Sequence, residues 1–74
     1  MADYTYTVII EREEAGGYHA FCPALRGCHS QGESYEETVQ NIEEAIKLYI
    51  ESLKAHSEAV PSEDVIIKPF HIAA

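Results

Sequence analysis

The sequence predicts an α+β fold: a two-layer sandwich of order β-β-β-α-β, with one long helix packed on one face of a small, mainly antiparallel sheet. Three observations predict it. Strong β-formers alternate from Tyr4 to Arg12 and are followed by Gly16-Gly17 and a second short run of the same kind. Ser34-Tyr35-Glu36-Glu37 then opens a stretch with helical periodicity, and β-branched residues return at Val65 after the break at Pro61.

In strand one, Tyr4, Tyr6, Val8 and Ile10 face one way, and Thr5, Thr7, Ile9 and Glu11 the other. Glu13-Glu14-Ala15-Gly16-Gly17 supplies polar residues and two glycines able to take positive φ, so it reads as a hairpin connection. Tyr18 to Cys22 returns as an antiparallel second strand. Pro23 cannot donate to a ladder, which makes Pro23-Ala24-Leu25-Arg26-Gly27 a loop and Cys28 to Gln31 a short third strand. Ser34 caps the helix by accepting from the Glu37 amide while the Glu37 carboxylate reaches back to the Ser34 amide, the reciprocal pairing of a capping box. Val39, Ile42, Ile46, Tyr49, Ile50 and Leu53 form the apolar stripe, and Leu48 falls outside it on the acidic face. The helix fades near Lys54-Ala55-His56. Val65 to Phe70 makes a fourth strand, which Pro69 limits to an edge or to the strand's end.

Residues 1–74 are expected to form one domain, and a domain of this size has a thin core, so a homodimer or higher homo-oligomer is expected. One helix covers only one face of the sheet, and a second subunit is the natural cover for the other. Thirteen acidic against five basic side chains give a net charge of −8. That charge repels phosphate backbones, which argues against direct DNA or RNA binding, and it steers association toward a basic surface. The first residues lack a basic region followed by an apolar one, and no apolar run approaches a membrane span, so a cytoplasmic protein with Cys22 and Cys28 reduced is expected.

His19, Cys22, Cys28 and His29 are all zinc-ligand types, but the cysteines straddle Pro23 and a loop rather than the tight turn of paired-cysteine sites. They are only minor metal candidates, and small buried thiols with strand-surface histidines are the expectation. A cysteine–histidine catalytic pair needs a base, an orienting group and an oxyanion hole converging in a pocket, for which one helix and one thin core leave little room. No enzymatic activity and no cofactor are expected. Most carboxylates lie on the outer helix face, whereas Glu11, Glu13 and Glu14 cluster at the hairpin tip, a better place for a basic partner than for a metal. With His19 and the loop residues Pro23, Leu25 and Arg26, they are the expected partner-binding residues.

The run from Gly17 to Glu37, continuing into Asn41-Ile42-Glu43-Glu44-Ala45-Ile46, resembles the HicB-type antitoxin domain of type II toxin-antitoxin systems. The shared elements are a glycine-aromatic turn into strand two, a proline shortly before Gly27-Cys28, the Gln31-Gly32 step, and a Ser-x-x-Glu helix start followed by Glu-Ala. The resemblance implies a partial RNase-H-like fold. It also implies binding and neutralisation of a small basic mRNA-cleaving ribonuclease toxin, HicA-like, by covering its active site. Many such proteins carry a further DNA-binding domain; this chain is expected to be a short form without one. The competing expectation is a stand-alone oligomeric regulator of the same fold, or a small-ligand-binding protein with a pocket near Leu25 and Tyr49 and no toxin partner.

Overall fold

The computed structural model describes residues 3–74 and bears out the α+β arrangement. Strand β1 spans Ile9–Arg12, β2 spans Tyr18–Phe21, β3 spans His29–Gly32, and helix α1 spans Tyr35–Ala55. The strands form one antiparallel sheet in the order β1-β2-β3. Tight connections dictate that order. Gly16 and Gly17 take φ of 103° and 82°, and the turn is closed by Glu13 N–H donating to the Gly17 carbonyl at 3.0 Å.

Strand one is shorter than the alternation predicts, and Pro23 is the reason. The ladder reaches Ile9 opposite Phe21. Cys22 then turns its N–H to the Cys28 carbonyl on the β3 side, at 3.0 Å. The next group due to face β1 is the nitrogen of Pro23, which carries no hydrogen. Tyr4 to Val8 therefore lie beyond the ladder.

Helix α1 begins where the capping residues place it. Ser34 has extended backbone (φ −123°, ψ 163°), and its Oγ accepts from the Glu37 amide at 3.1 Å. The reciprocal half of the expected capping box differs by one residue: the Glu37 carboxylate accepts from the Glu33 amide at 3.0 Å rather than from that of Ser34. Thr38, fully buried, donates its hydroxyl to the Ser34 carbonyl at 2.7 Å. At the other end, His56 N–H reaches the Ser52 and Leu53 carbonyls and Lys54 lies in the last turn, where a cation suits the helix dipole.

Ala20, Cys22, Leu25, Cys28 and Ile42 form the buried core, with Tyr6, Val8, Ile10, Ile46 and Tyr49 packed against it. The helix lies over β3 and β2 and does not reach β1. Val39, on the apolar stripe, is accordingly still 37% exposed. Leu48 is exposed, as its position off the stripe requires.

The fourth strand is the main correction. Val65 to Phe70 pairs with no strand among the described residues. A strand exists only against a neighbouring ladder, and this segment is held only up to its approach: the Tyr6 hydroxyl donates to the Pro61 carbonyl, and the Thr7 amide donates to the Glu63 carboxylate. Beyond that point the tail stands away from the body. The radius of gyration is 14.4 Å, against about 11 Å for a compact chain of this length.

Candidate protein-interaction surface

The hairpin tip and the start of the helix meet at one end of the sheet. Tyr18 pairs with Gly32, so the β1–β2 turn lies beside the β3–α1 junction. The approach is close: a methyl group built on Gly17 would stand 2.8 Å from the Gly32 carbonyl oxygen. The result is an open cleft of about 550 Å³ at whose walls Glu13, Glu33 and Glu37 stand with Tyr18 and Gln31. Three carboxylates around a cleft suit a lysine or arginine side chain of a partner.

The sheet face turned away from the helix is a second surface. Strand register places Ile9, Phe21 and His29 in one row across it and Glu11, His19 and Gln31 in the next. The His19 ring stands 6.0 Å from Phe21 and 5.8 Å from His29, centroid to centroid, the two imidazoles being nearly parallel at 25°. Phe21 and Ile9 are half-buried although, among the described residues, no helix or strand lies over them. The face therefore joins an apolar strip to a polar one.

Between β2 and β3 the loop is built from its own backbone. Leu25 N–H donates to the Cys22 carbonyl at 3.1 Å and Cys28 N–H to the Leu25 carbonyl at 3.0 Å. Leu25 points into the core and is fully buried, and the Tyr49 hydroxyl donates to the Arg26 carbonyl at 2.9 Å. Pro23 and Arg26 are left on the outside.

These positions sort the residues expected from sequence. Glu11, Glu13, Glu14, Pro23 and Arg26 are exposed and His19 is half-buried on the open sheet face. Leu25 is corrected to a core residue: its side chain is fully buried, because an apolar group gains most by turning inward. Near Leu25 an open cavity of about 390 Å³ lies between the loop and the His19, Phe21 and His29 side of the sheet, while Tyr49 is not part of its lining and instead fastens the loop to the helix. Cys22 and Cys28 are free thiols in the core, at 2% and 6% exposure, while His19 and His29 lie on the opposite sheet face. The metal candidates are thus divided between the two faces, and among the described residues no group of three or more His, Cys, Asp or Glu side chains is placed to hold a metal ion. Burial, with Cys22 beside it, pushes the Cys28 thiol up from its ordinary pKa.

Glu33 and Glu37 enter the cleft without having been expected as partner-binding residues: the sequence marked Glu37 only as a helix-capping group and left Glu33 unremarked. Their signal is the pairing of the Gly16-Gly17 turn with Gln31-Gly32. Among the described residues no helix is long and apolar enough to cross a membrane.

Residues 6–70 match a family model described as the HicB_like antitoxin of bacterial toxin-antitoxin system. The chain is 64% identical over 69 residues to the UPF0150 protein ssr1765 of Synechocystis sp., covering 93% of this chain and 87% of that protein. A UPF0150 protein of Thermoplasma acidophilum is 51% identical over 59 residues, 80% of this chain and 86% of its own length. One of Helicobacter pylori is 50% identical over 66 residues, 88% and 90% of the two chains. No solved structure matches the chain.

Proposed function

The chain belongs to the HicB-like antitoxin family of bacterial toxin-antitoxin systems, and from that membership we propose that it neutralises a small basic, mRNA-cleaving toxin of the HicA type by covering the toxin's active site. The match over residues 6–70 is the observation that carries this reading. It takes in all three strands, the helix and the loop between β2 and β3.

Charge supports the choice of a basic partner. At −8 the chain attracts a surface evolved to hold RNA and repels RNA itself, so it acts on the toxin rather than on the transcript. The contact surface is the hairpin end with Glu11, Glu13 and Glu14, extended by Glu33, His19 and the exposed Pro23 and Arg26 of the loop. The chain works by binding and not by catalysis. Cys22 and Cys28 are free thiols, which suits the reducing cytoplasm in which an mRNA-cleaving toxin must be held in check.

The test is to co-express the chain with a small basic toxin of the HicA type, isolate the complex, and measure mRNA cleavage with and without the chain. The expected result is a complex that weakens as ionic strength rises and a toxin that stops cutting once the chain is in molar excess. Undiminished cleavage at saturating chain would sink the reading.

A further inference from the structure

The C-terminal tail exposes large apolar side chains that a lone subunit leaves in water. Ile66 is 91% exposed, Ile67 60%, Phe70 74% and Ile72 74%. Elsewhere in the same chain an apolar groove of about 540 Å³ runs between the open edge of β1 and helix α1, lined by Tyr6, Val8, Ile10, Val39, Ile46 and Ile50. It is open because the helix lies over β2 and β3, and the outer edge of β1, Ile9–Arg12, pairs with no strand among the described residues. A segment lacking a ladder and a ladder lacking a segment stand in one molecule.

We infer that two copies exchange their tails, the segment from Val65 to Ile72 of each lying along the β1 edge of the other and filling its groove. Within one chain the tail leaves this groove unfilled: Pro61 and Glu63 are held at the start of strand one, but Ile66, Ile67, Phe70 and Ile72 beyond them stand exposed. Exchange of an identical element gives a closed two-fold dimer in which each sheet gains its fourth strand. Charge agrees: from Val65 to Ala74 the tail carries Lys68 and no acidic side chain, while Asp3 and Glu43 line the groove beside Lys47. A buried Phe side chain alone removes about 150–250 Å² from water. With three isoleucines beside it, counted twice, the exchange exceeds the roughly 1,000 Å² total that a specific interface needs. Pro69 then sits on an outer edge with no N–H to offer, which stops further strands from adding and keeps the assembly closed. None of this depends on a toxin.

Light scattering on the full chain, with no other protein present, should give twice the 8.3 kDa of one chain. The double substitution Ile67→Asp with Phe70→Asp, at positions exposed in the lone subunit, should return the one-chain mass with helical circular dichroism unchanged. Ile9→Lys, on the other sheet face, should leave the two-chain mass intact. Hydrogen exchange of the unmodified dimer supplies a reading that no variant can spoil by misfolding: amides from Val65 to Ile72 should be protected and lose protection on dilution. A one-chain mass for the native protein, a dimer that survives the double substitution or fails with Ile9→Lys, or an unprotected tail within the dimer would each overturn the exchange.

Discussion

Gly32 and Thr38 are pressed together so closely that a methyl group built on the glycine would stand 2.7 Å from the threonine hydroxyl oxygen and 2.8 Å from its amide nitrogen. Here the last residue of β3 meets the first turn of α1, and the sheet and helix can approach only because one partner has no side chain. Gly32→Ala should therefore destabilise the fold by about 1–3 kcal/mol through overpacking. Urea unfolding followed by circular dichroism measures it, and a change below 0.5 would contradict the contact.

The cap at Ser34 should be worth about 1 kcal/mol, lost in Ser34→Ala, because the Glu37 amide then has no side-chain acceptor. Ser34→Gly should cost only a few tenths. Equal losses for the two would show that the hydroxyl contributes nothing.

Leu25 and Arg26 are neighbours with opposite duties. Leu25→Ala should cost about 2–5 kcal/mol, as an emptied core site does, whereas Arg26→Ala, exposed, should stay within about 0.5. A Leu25→Ala protein of native stability with impaired toxin binding would return that residue to the contact surface.

Alkaline pH should loosen the fold through two partly or fully buried acids. Burial, with Cys22 beside it, raises the Cys28 thiol above 9.0, and burial, then Cys22, Tyr4 and Glu63, raise the Tyr6 hydroxyl above 10.0. Both groups are acids whose neutral form the fold prefers. Their contribution is complete below those ordinary values and is lost as pH climbs through the raised ones. Thermal unfolding should show no effect of either group at neutral pH. In a Cys28→Ala background the alkaline loss should be smaller, and an undiminished loss would assign it elsewhere.

Reversing the hairpin-end charge with Glu13→Lys and Glu33→Lys should slow toxin association by about tenfold at low ionic strength, with the difference shrinking as salt is added. Stability should move by no more than about 0.5 kcal/mol, since both side chains are exposed. Surface plasmon resonance across a salt series reads the rate directly. A salt-independent defect would mean that the carboxylates act otherwise than by steering.

Local chemistry was the legible part of this sequence. Gly16-Gly17 announces a hairpin and Ser34 a helix start because each imposes its structure through backbone conformation or a hydrogen bond within four residues. Pairing was less legible. Strand one looked nine residues long because its alternation is unbroken, and its ladder ends at Ile9 because Pro23, two residues beyond Ile9's partner Phe21, has no N–H to continue it. The division of Cys22 and Cys28 from His19 and His29 follows from strand register, which proximity in sequence hides. The cleft of Glu13, Glu33 and Glu37 was hidden for the same reason, since its residues come from two turns that meet only across β2 and β3. Val65 to Phe70 has the composition of a strand and no pairing partner among the described residues, since composition states what a segment can do and not where its neighbour lies.

The loop from Cys22 to Cys28 closes on itself through three main-chain bonds, with Leu25 as an anchor and Tyr49 as a tether. Its outer residues are held in one arrangement before any encounter. Ordering a surface at the moment of docking costs about 0.5–1.5 kcal/mol for each immobilised side chain, and that charge falls here only on the long Arg26, since Pro23 has no rotamers to lose. In the proposed complex the loop would meet its partner as a finished edge, so changes to Pro23 and Arg26 should show in how long the complex lasts rather than in how readily the chain rearranges to form it.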